Sequence, residues 1–166
     1  MYNTEYADGA MQRMRSLPVR EGRLFFGKAA LMTVMCVVIL AAEASGITFC
    51  LHNWFELSAD AWIEIMKSFG YALLLMLPAA LGSLLIASAC KNMWISLGIG
   101  VVCVFTATML PAGNFVLSLF PFALPFQIFA GTEEHTVQRL MLAAMTEILT
   151  IGAAEVIYLK VRRLFT

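Results

Sequence analysis

Apolar residues in this chain form long runs instead of the short alternating stretches that build a soluble core. Four runs have the length of a membrane helix, and they cover residues 29–49, 69–89, 93–109 and 137–159. Because an α-helix rises 1.5 Å per residue, about 20 residues span the roughly 30 Å of a bilayer's hydrocarbon core. The pattern therefore predicts an all-α fold, a polytopic membrane helix bundle with four transmembrane helices in residues 29–166.

The composition excludes a soluble globular protein. Of the 166 residues, 61% are hydrophobic and 13% are charged, and the mean hydropathy is +0.83. Soluble domains carry about 25% charged residues. The 11 basic and 11 acidic residues cancel, so no nucleic acid partner is indicated. Membrane lipid is the expected surrounding of the chain.

The stretch between the third and fourth runs, residues 111–131, is apolar but contains Pro111, Pro121 and Pro125. Each proline removes an amide donor and disfavours helical geometry in the residue before it, so one straight crossing is not expected. The prediction is a Pro-rich outer re-entrant segment made of two short helices that dip into the outer leaflet. The alternative is a fifth crossing over residues 114–130, which would place the C-terminus outside.

Basic residues are distributed unevenly between the two sides that four crossings define. Cytoplasmic loops of membrane proteins collect Lys and Arg. One side holds only Lys67 and Arg139. The other side holds all the remaining basic residues: Arg13, Arg15, Arg20, Arg23, Lys28, Lys91, Lys160, Arg162 and Arg163. This bias predicts cytoplasmic N- and C-termini. It also favours the re-entrant segment, because a fifth crossing would move the C-terminal basic cluster outside.

Motifs for catalysis or nucleotide binding do not occur in the sequence. GxxxxGK[ST], HExxH, GxSxG and GxGxxG are all missing, so we do not expect an enzyme or a cofactor in this chain. His52 and His135 fall in separate predicted outer loops without ligand-spaced partners, so we interpret them as interfacial residues and not as a metal site. The cysteines lack CxxC spacing and are interpreted as buried apolar thiols: Cys36, Cys50, Cys90 and Cys103.

Polar and small residues inside the runs are candidates for a transport pathway or a helix interface. Glu147 falls near the midplane of the last run, where a charge costs about 2.5–3.5 kcal/mol, so it should face other helices or a wet cavity. It could line a pathway or bond across a helix pair, and both readings stay open. Gly98 and Gly100, with Ser96, are expected to form a small-residue face for close helix approach. Two carboxylates nearer the ends of the runs are expected to reach the interface: Glu43 and Glu155.

Residues 1–28 precede the first run and are polar and basic, so we predict a cytoplasmic N-terminal segment. Pro18 biases Leu17 away from helical geometry, and a surface-lying element with a turn at residues 16–18 is therefore expected. Judged by charge alone, the segment would be a generic positive flank that sets the topology.

The motif RSLPVREGRLFFGK, followed by an apolar helix, resembles the cytoplasmic loop of permease subunits of ABC-2 type transporters. In that family a Leu-Pro-Val or Leu-Pro-Ile segment, a basic residue, a short apolar stretch and a Lys lead into the third membrane helix. These places are occupied here by Leu17, Pro18, Val19, Arg20, Phe25, Gly27 and Lys28. The downstream order of outer loop, helix hairpin, Pro-rich outer segment and final helix with a basic end is also similar.

The resemblance implies a membrane subunit of an ATP-driven exporter in a bacterial plasma membrane. A separate ABC ATPase subunit, which would hold ATP and Mg, would act through the cytoplasmic loop. Six residues of this chain are its implied contacts: Arg15, Leu17, Pro18, Val19, Arg20 and Arg23. A second permease chain, identical or similar, would complete a dimer. Some relatives export peptide antibiotics and confer immunity to lantibiotics or bacteriocins, which implies a peptide or lipid-like substrate.

The number of helices departs from the family pattern, since family members usually have six and this sequence begins where their second helix ends. The expectation is a shortened or split permease whose partner supplies two helices, or a coding sequence that starts late. The alternative function is a non-transporting membrane scaffold or accessory subunit, because fewer helices leave the pathway incomplete. A channel or an embedded enzyme lacks support, since no run carries a ring-forming polar motif or a paired acid and base.

Overall fold

The computed structural model of the chain describes residues 21–54, 59–90, 92–110, 114–129 and 131–164. Five α-helices and one 3₁₀ helix form within these ranges, and no strand occurs among the described residues. The helices are α1 (Glu21–Trp54), α2 (Ala59–Ala89), α3 (Met93–Met109), α4 (Phe115–Ser118), the 3₁₀ helix (Leu124–Phe126) and α5 (Glu134–Leu164). The all-α prediction is confirmed for this part of the chain.

Three of these helices are long and apolar enough to cross a membrane, within α1, α2 and α5. The spans are Phe25–Trp54, Trp62–Ala89 and Glu134–Tyr158. α3 is apolar as well, but its 17 residues make it about 26 Å long, slightly shorter than a hydrocarbon core of about 30 Å. The prediction of a helical membrane protein is confirmed, and the fourth crossing through α3 stays a prediction.

The helices are longer than the apolar runs that predicted them. α1 begins at Glu21 and not near residue 29, and α2 begins at Ala59 and not near residue 69. Hydropathy marks residues that prefer lipid, whereas helical hydrogen bonding continues into the polar interface until the local sequence breaks it. The predicted outer loop between the first two runs is therefore largely helical over the described residues.

The N-terminal segment is only partly described. Residues 21–28 form the first two turns of α1, so Arg23 lies in its first turn. The other five predicted ATPase contacts and the expected turn at residues 16–18 lie outside the described residues.

α2 is the central helix, and α1, α3, α5 and the 3₁₀ helix all pack against it. Phe25, near the start of α1, packs against Leu84, near the end of α2, so these two helices are antiparallel. α3 follows α2 after a short connection and turns back along it. Its N-cap is Asn92, whose side chain accepts a hydrogen bond of 3.0 Å from the backbone N–H of Trp94.

α2 and α5 run in the same direction. Their main shared cluster joins Tyr71 and Leu75 of α2 to Val137, Leu140 and Ala144, which lie in the first third of α5. From this cluster, buried positions continue towards the C-terminal end of each helix, whereas most residues at the N-terminal end of α2 are exposed. Because α2 and α5 are parallel, the chain must return between them, and α3 is the long helix that makes this return.

The segment between α3 and α5 is broken, as its prolines predict. α4 has only four residues, and the 3₁₀ helix contains Pro125. Leu124 is completely buried against α2 and α5. A hydrogen bond joins the two ends of the segment, since the Gln127 Nε2 donates to the Ser118 Oγ at 3.2 Å. Whether the segment re-enters the membrane stays a prediction.

Candidate functional site

The N-terminal end of α1 lies in a compact region that we name the packed end, defined by Phe25, Leu84, Ser88 and Glu155. Phe25 is 1% exposed, and Ser88 and Glu155 are 0% exposed. Ser88 follows Leu84 by one helical turn, and Glu155 is at the same end because α2 and α5 are parallel. Phe25, near the end of the predicted N-terminal segment, is thus held against α2.

Glu155 does not reach the interface, and this corrects the sequence expectation. Its side chain is enclosed by protein, and both Glu155 and Lys28 interact with other groups of the chain. The position of Glu155 along the helix predicted access to water, but its burial depends on the neighbours of α5, and α5 packs along α2. Glu155 is therefore a fully buried residue of the packed end.

Glu147 lies on the side of α5 that faces the bundle. It follows Leu140 by seven residues and Ala144 by three, which are helical spacings, and these two residues pack against α2. Both carboxylate oxygens of Glu147 are buried, and neither has a hydrogen-bond partner among the described residues. A carboxylate held in this way at the centre of a membrane helix is costly to the fold.

Gly98 and Gly100 lie on different sides of α3, which corrects the prediction that they share one face with Ser96. Residues two apart on a helix point about 200° apart, whereas residues four apart lie on one side. Ser96 and Gly100 accordingly line a groove, and Gly98 is exposed outside its lining. No atom lies within 4 Å of a Cβ built at either glycine, so no close helix approach occurs there within the described chain.

The groove lies between α2 and α3 and has a volume of about 610 Å³. We name it the α2–α3 groove and define it by six of its lining residues: Ser83, Ile86, Ser96, Gly100, Val104 and Phe122. Phe122 comes from the segment after α3, and its ring lies 3.5 Å from a Cβ built at Gly82. That segment therefore reaches α2 well inside the Trp62–Ala89 span.

Glu43 is not close to the end of its helix, contrary to the expectation. α1 continues to Trp54, and Glu43 is exposed on its surface. No hydrogen bond or ion pair joins it to another described residue, because α1 packs mainly through other faces near Phe25 and Cys36.

The cysteines and histidines form no shared site. All four cysteines are free thiols, and only Cys36 is buried, which corrects the expectation for the other three. Cys50 is exposed because the C-terminal half of α1 has few protein neighbours to cover it. His52 and His135 are exposed near the ends of α1 and α5, and the described residues hold no cluster of metal ligands.

Sequence reasoning missed Tyr71, Gly82 and Phe122. Tyr71 is 2% exposed, and its ring lies 5.4 Å from that of Phe129. The buried Tyr71 hydroxyl has no hydrogen-bond partner among the described residues. The phenylalanines around the prolines at 121 and 125 are a usable signal, since aromatic residues in a broken segment need a surface to cover them.

Gly82 offers a direct test of the contact with Phe122. Gly82→Ala should be tolerated, because 3.5 Å is ordinary van der Waals contact. Gly82→Leu should lower the free energy of unfolding by about 1–3 kcal/mol, because the larger side chain displaces the Phe122 ring. Gly70→Leu is the matched control on α2, where no atom lies within 4 Å of a built Cβ. Titration with SDS in mixed micelles measures the three variants, and equal loss in Gly70→Leu would contradict the contact.

Comparison with known proteins assigns the chain to a family. The profile described as ABC-2 family transporter protein matches residues 1–107, which include α1, α2 and most of α3 and make up more than half of the 166 residues. No curated protein and no solved structure gives a significant match. Members of the family are membrane components of ABC transporters, which associate with an ABC ATPase partner. The long apolar helices and the profile agree, and the chain belongs to the ABC-2 family of transporter proteins.

Proposed function

We propose that this chain is the permease subunit of an ATP-driven exporter, and that its ATPase subunit docks on the cytoplasmic residues 1–28. The observation that carries the proposal is the burial of Phe25 in the packed end, two residues after the basic SLPVREGR sequence ends at Arg23. A segment that only set the topology would need charge at this position but no buried anchor.

The packed end supports coupling because it links the proposed docking segment to three helices. α1 is one continuous helix of 34 residues, about 51 Å long, so a displacement of its first turn moves the whole helix. Phe25 joins that first part of α1 to α2, and α2 contacts α3 and α5. Movement of the ATPase subunit would therefore reach the membrane helices through the packed end.

The proposed arrangement has four crossings, with both termini in the cytoplasm and residues 111–131 re-entering from outside. The parallel direction of α2 and α5 supports it, since α3 must return between them. The burial of Leu124 and the contact of Phe122 with α2 also support a segment that folds back on the bundle. The bacterial plasma membrane is the proposed location.

A second permease chain, identical or similar, is proposed to complete the pathway. α3 packs mainly on α2 and exposes most of its other residues, so the described part of one chain leaves an open groove and encloses no channel. The candidate pathway residues are Gly100, which lines this groove, and Glu147, which lies on the side of α5 that faces the bundle. Gly98 is a candidate for the interface with the second chain. A peptide or an amphiphilic, lipid-like molecule is the proposed substrate.

The docking proposal is tested by co-purification of the ATPase subunit with variants of this chain. Deletion of residues 1–20, which retains all of α1, should abolish co-purification. The double variant Pro18→Ala and Arg20→Ala should weaken it several-fold, because one exposed ion pair contributes only about 0–1 kcal/mol and several contacts must act together.

Arg139→Ala is the matched control, since Arg139 is exposed near the start of α5, at the end opposite to the packed end. It should leave co-purification unchanged. If the ATPase subunit binds the truncated chain as well as the full chain, residues 1–20 are not the docking segment and the proposed coupling route is wrong.

A further inference from the structure

The lining of the α2–α3 groove is uncharged. No acidic, basic or histidine side chain contributes to it, and two of its three hydroxyl groups already donate within their own helices. The Ser83 Oγ donates to the Ala80 carbonyl at 2.8 Å, and the Thr108 Oγ1 donates to the Phe105 carbonyl at 2.7 Å. A peptide backbone would bring an N–H and a C=O group for each residue, and this lining could not pair them. The groove therefore fits a hydrocarbon.

The size of the groove decides against a further membrane helix as its occupant. A helix about 10 Å wide and 26 Å long displaces about 2,000 Å³, roughly three times what the groove can hold. The groove volume of about 610 Å³ instead falls within the range of roughly 300–1,000 Å³ that is usual for small-ligand sites.

The length of the groove matches one leaflet of a bilayer. Along α3 it extends from Ser96 to Thr108, which corresponds to about 18 Å of helix. One leaflet contributes about 15 Å of the hydrocarbon core. Gly100 deepens the middle of the groove, because no atom lies within 4 Å of the position that a Cβ would take.

We propose that the α2–α3 groove holds an acyl chain of a bilayer phospholipid. The chain lies along α3 between Ser96 and Thr108, beside Ile86 and in contact with the Phe122 ring. α2 and α3 are then held together by lipid over the length where their own side chains do not meet. The groove belongs to a helix pair whose outward surface is apolar, so it opens towards the bilayer that supplies the chain.

The test uses the full-length protein in nanodiscs of phosphatidylethanolamine and phosphatidylglycerol that contain a phospholipid with a diazirine in the middle of one acyl chain. Photolysis, digestion and mass spectrometry locate the label. We expect label on Val101, Val104 and Ile86, and little on Val102, which is 63% exposed outside the groove lining.

Gly100→Leu should reduce labelling of the groove by about tenfold, because its side chain occupies the volume of several methylene groups. Gly70→Leu is the matched control, with the same change at an exposed position of α2 outside the groove lining, and it should label like the unmodified protein. Ser83→Leu fills the groove from α2 and should repeat the loss, so the test does not depend on the folding of one variant.

Four results would overturn the proposal. Label spread evenly around α3 would mean ordinary lipid contact, as would equal loss in Gly70→Leu and Gly100→Leu. A disulfide between two copies that carry Val104→Cys would mean that a second chain fills the groove. Label from a water-soluble, single-chain amphiphile but not from the phospholipid would mean that the bilayer is not the source of the acyl chain.

Discussion

Replacing Glu155 with leucine is expected to lower the free energy of unfolding by about 2–5 kcal/mol. Glu155 is completely enclosed in the packed end and interacts with other groups of the chain. Leucine has a similar volume, so the packing survives, but the group that interacted with the carboxylate loses that interaction. SDS titration in mixed micelles, followed by circular dichroism, measures the loss.

Lys28 is the partner to test first, because it is the basic residue near the packed end whose side chain the structure describes. A double-mutant cycle with Lys28→Met and Glu155→Leu should give a coupling energy of about 0.5–3 kcal/mol if the two interact. A coupling energy near zero would assign the partner of Glu155 to another group. A stable Glu155→Leu variant would contradict the structural role itself.

Replacing Glu147 with leucine is expected to have the opposite effect and to raise the free energy of unfolding by about 1–3 kcal/mol. Both carboxylate oxygens of Glu147 are buried without a hydrogen-bond partner among the described residues. Leucine removes the cost of keeping them there and fills a similar volume beside Ala144, which is buried on the same side of α5. The same titration measures the gain.

The two glutamates control for each other, because they lie on the same helix and undergo the same substitution. If Glu147→Leu destabilises the protein as Glu155→Leu does, Glu147 has a structural partner that the described residues do not show. If the variant is more stable, the ATPase activity of the assembled transporter separates the two open roles. Loss of substrate-stimulated activity would assign Glu147 to the pathway, and full activity would leave it a residue of the helix interface.

The contrast between Glu147 and Glu155 bears on how stability is distributed along α5. The packed end uses a buried carboxylate that has partners, and the middle of α5 holds one that has none among the described residues. Destabilising groups persist in proteins chiefly where function requires them. The destabilising carboxylate of α5 is therefore in the middle of the helix. Its stabilising contacts are at its C-terminal end, which is the end nearest the proposed ATPase contact.

The candidate site could be predicted only in part from the sequence. The inward position of Glu147 could be predicted, because exposing a carboxylate to lipid at mid-membrane depth is unfavourable in free energy. The separation of Gly98 from Gly100 could also have been predicted, since 100° per residue puts them on different sides of α3. The burial of Glu155 could not, because it depends on α2 lying beside α5 at that level.

The sequence by itself determined the membrane class, the apolar runs and the broken segment after α3. These follow from local properties, since hydropathy decides which residues lipid accepts and each proline removes a hydrogen-bond donor where it stands. Only the tertiary structure decided that α2 is central, that α5 runs parallel to it, and that Phe122 reaches Gly82. In helices that are apolar on all sides, the hydrophobic pattern does not show which face packs against a neighbouring helix. Packing between residues far apart in the chain decides which faces meet.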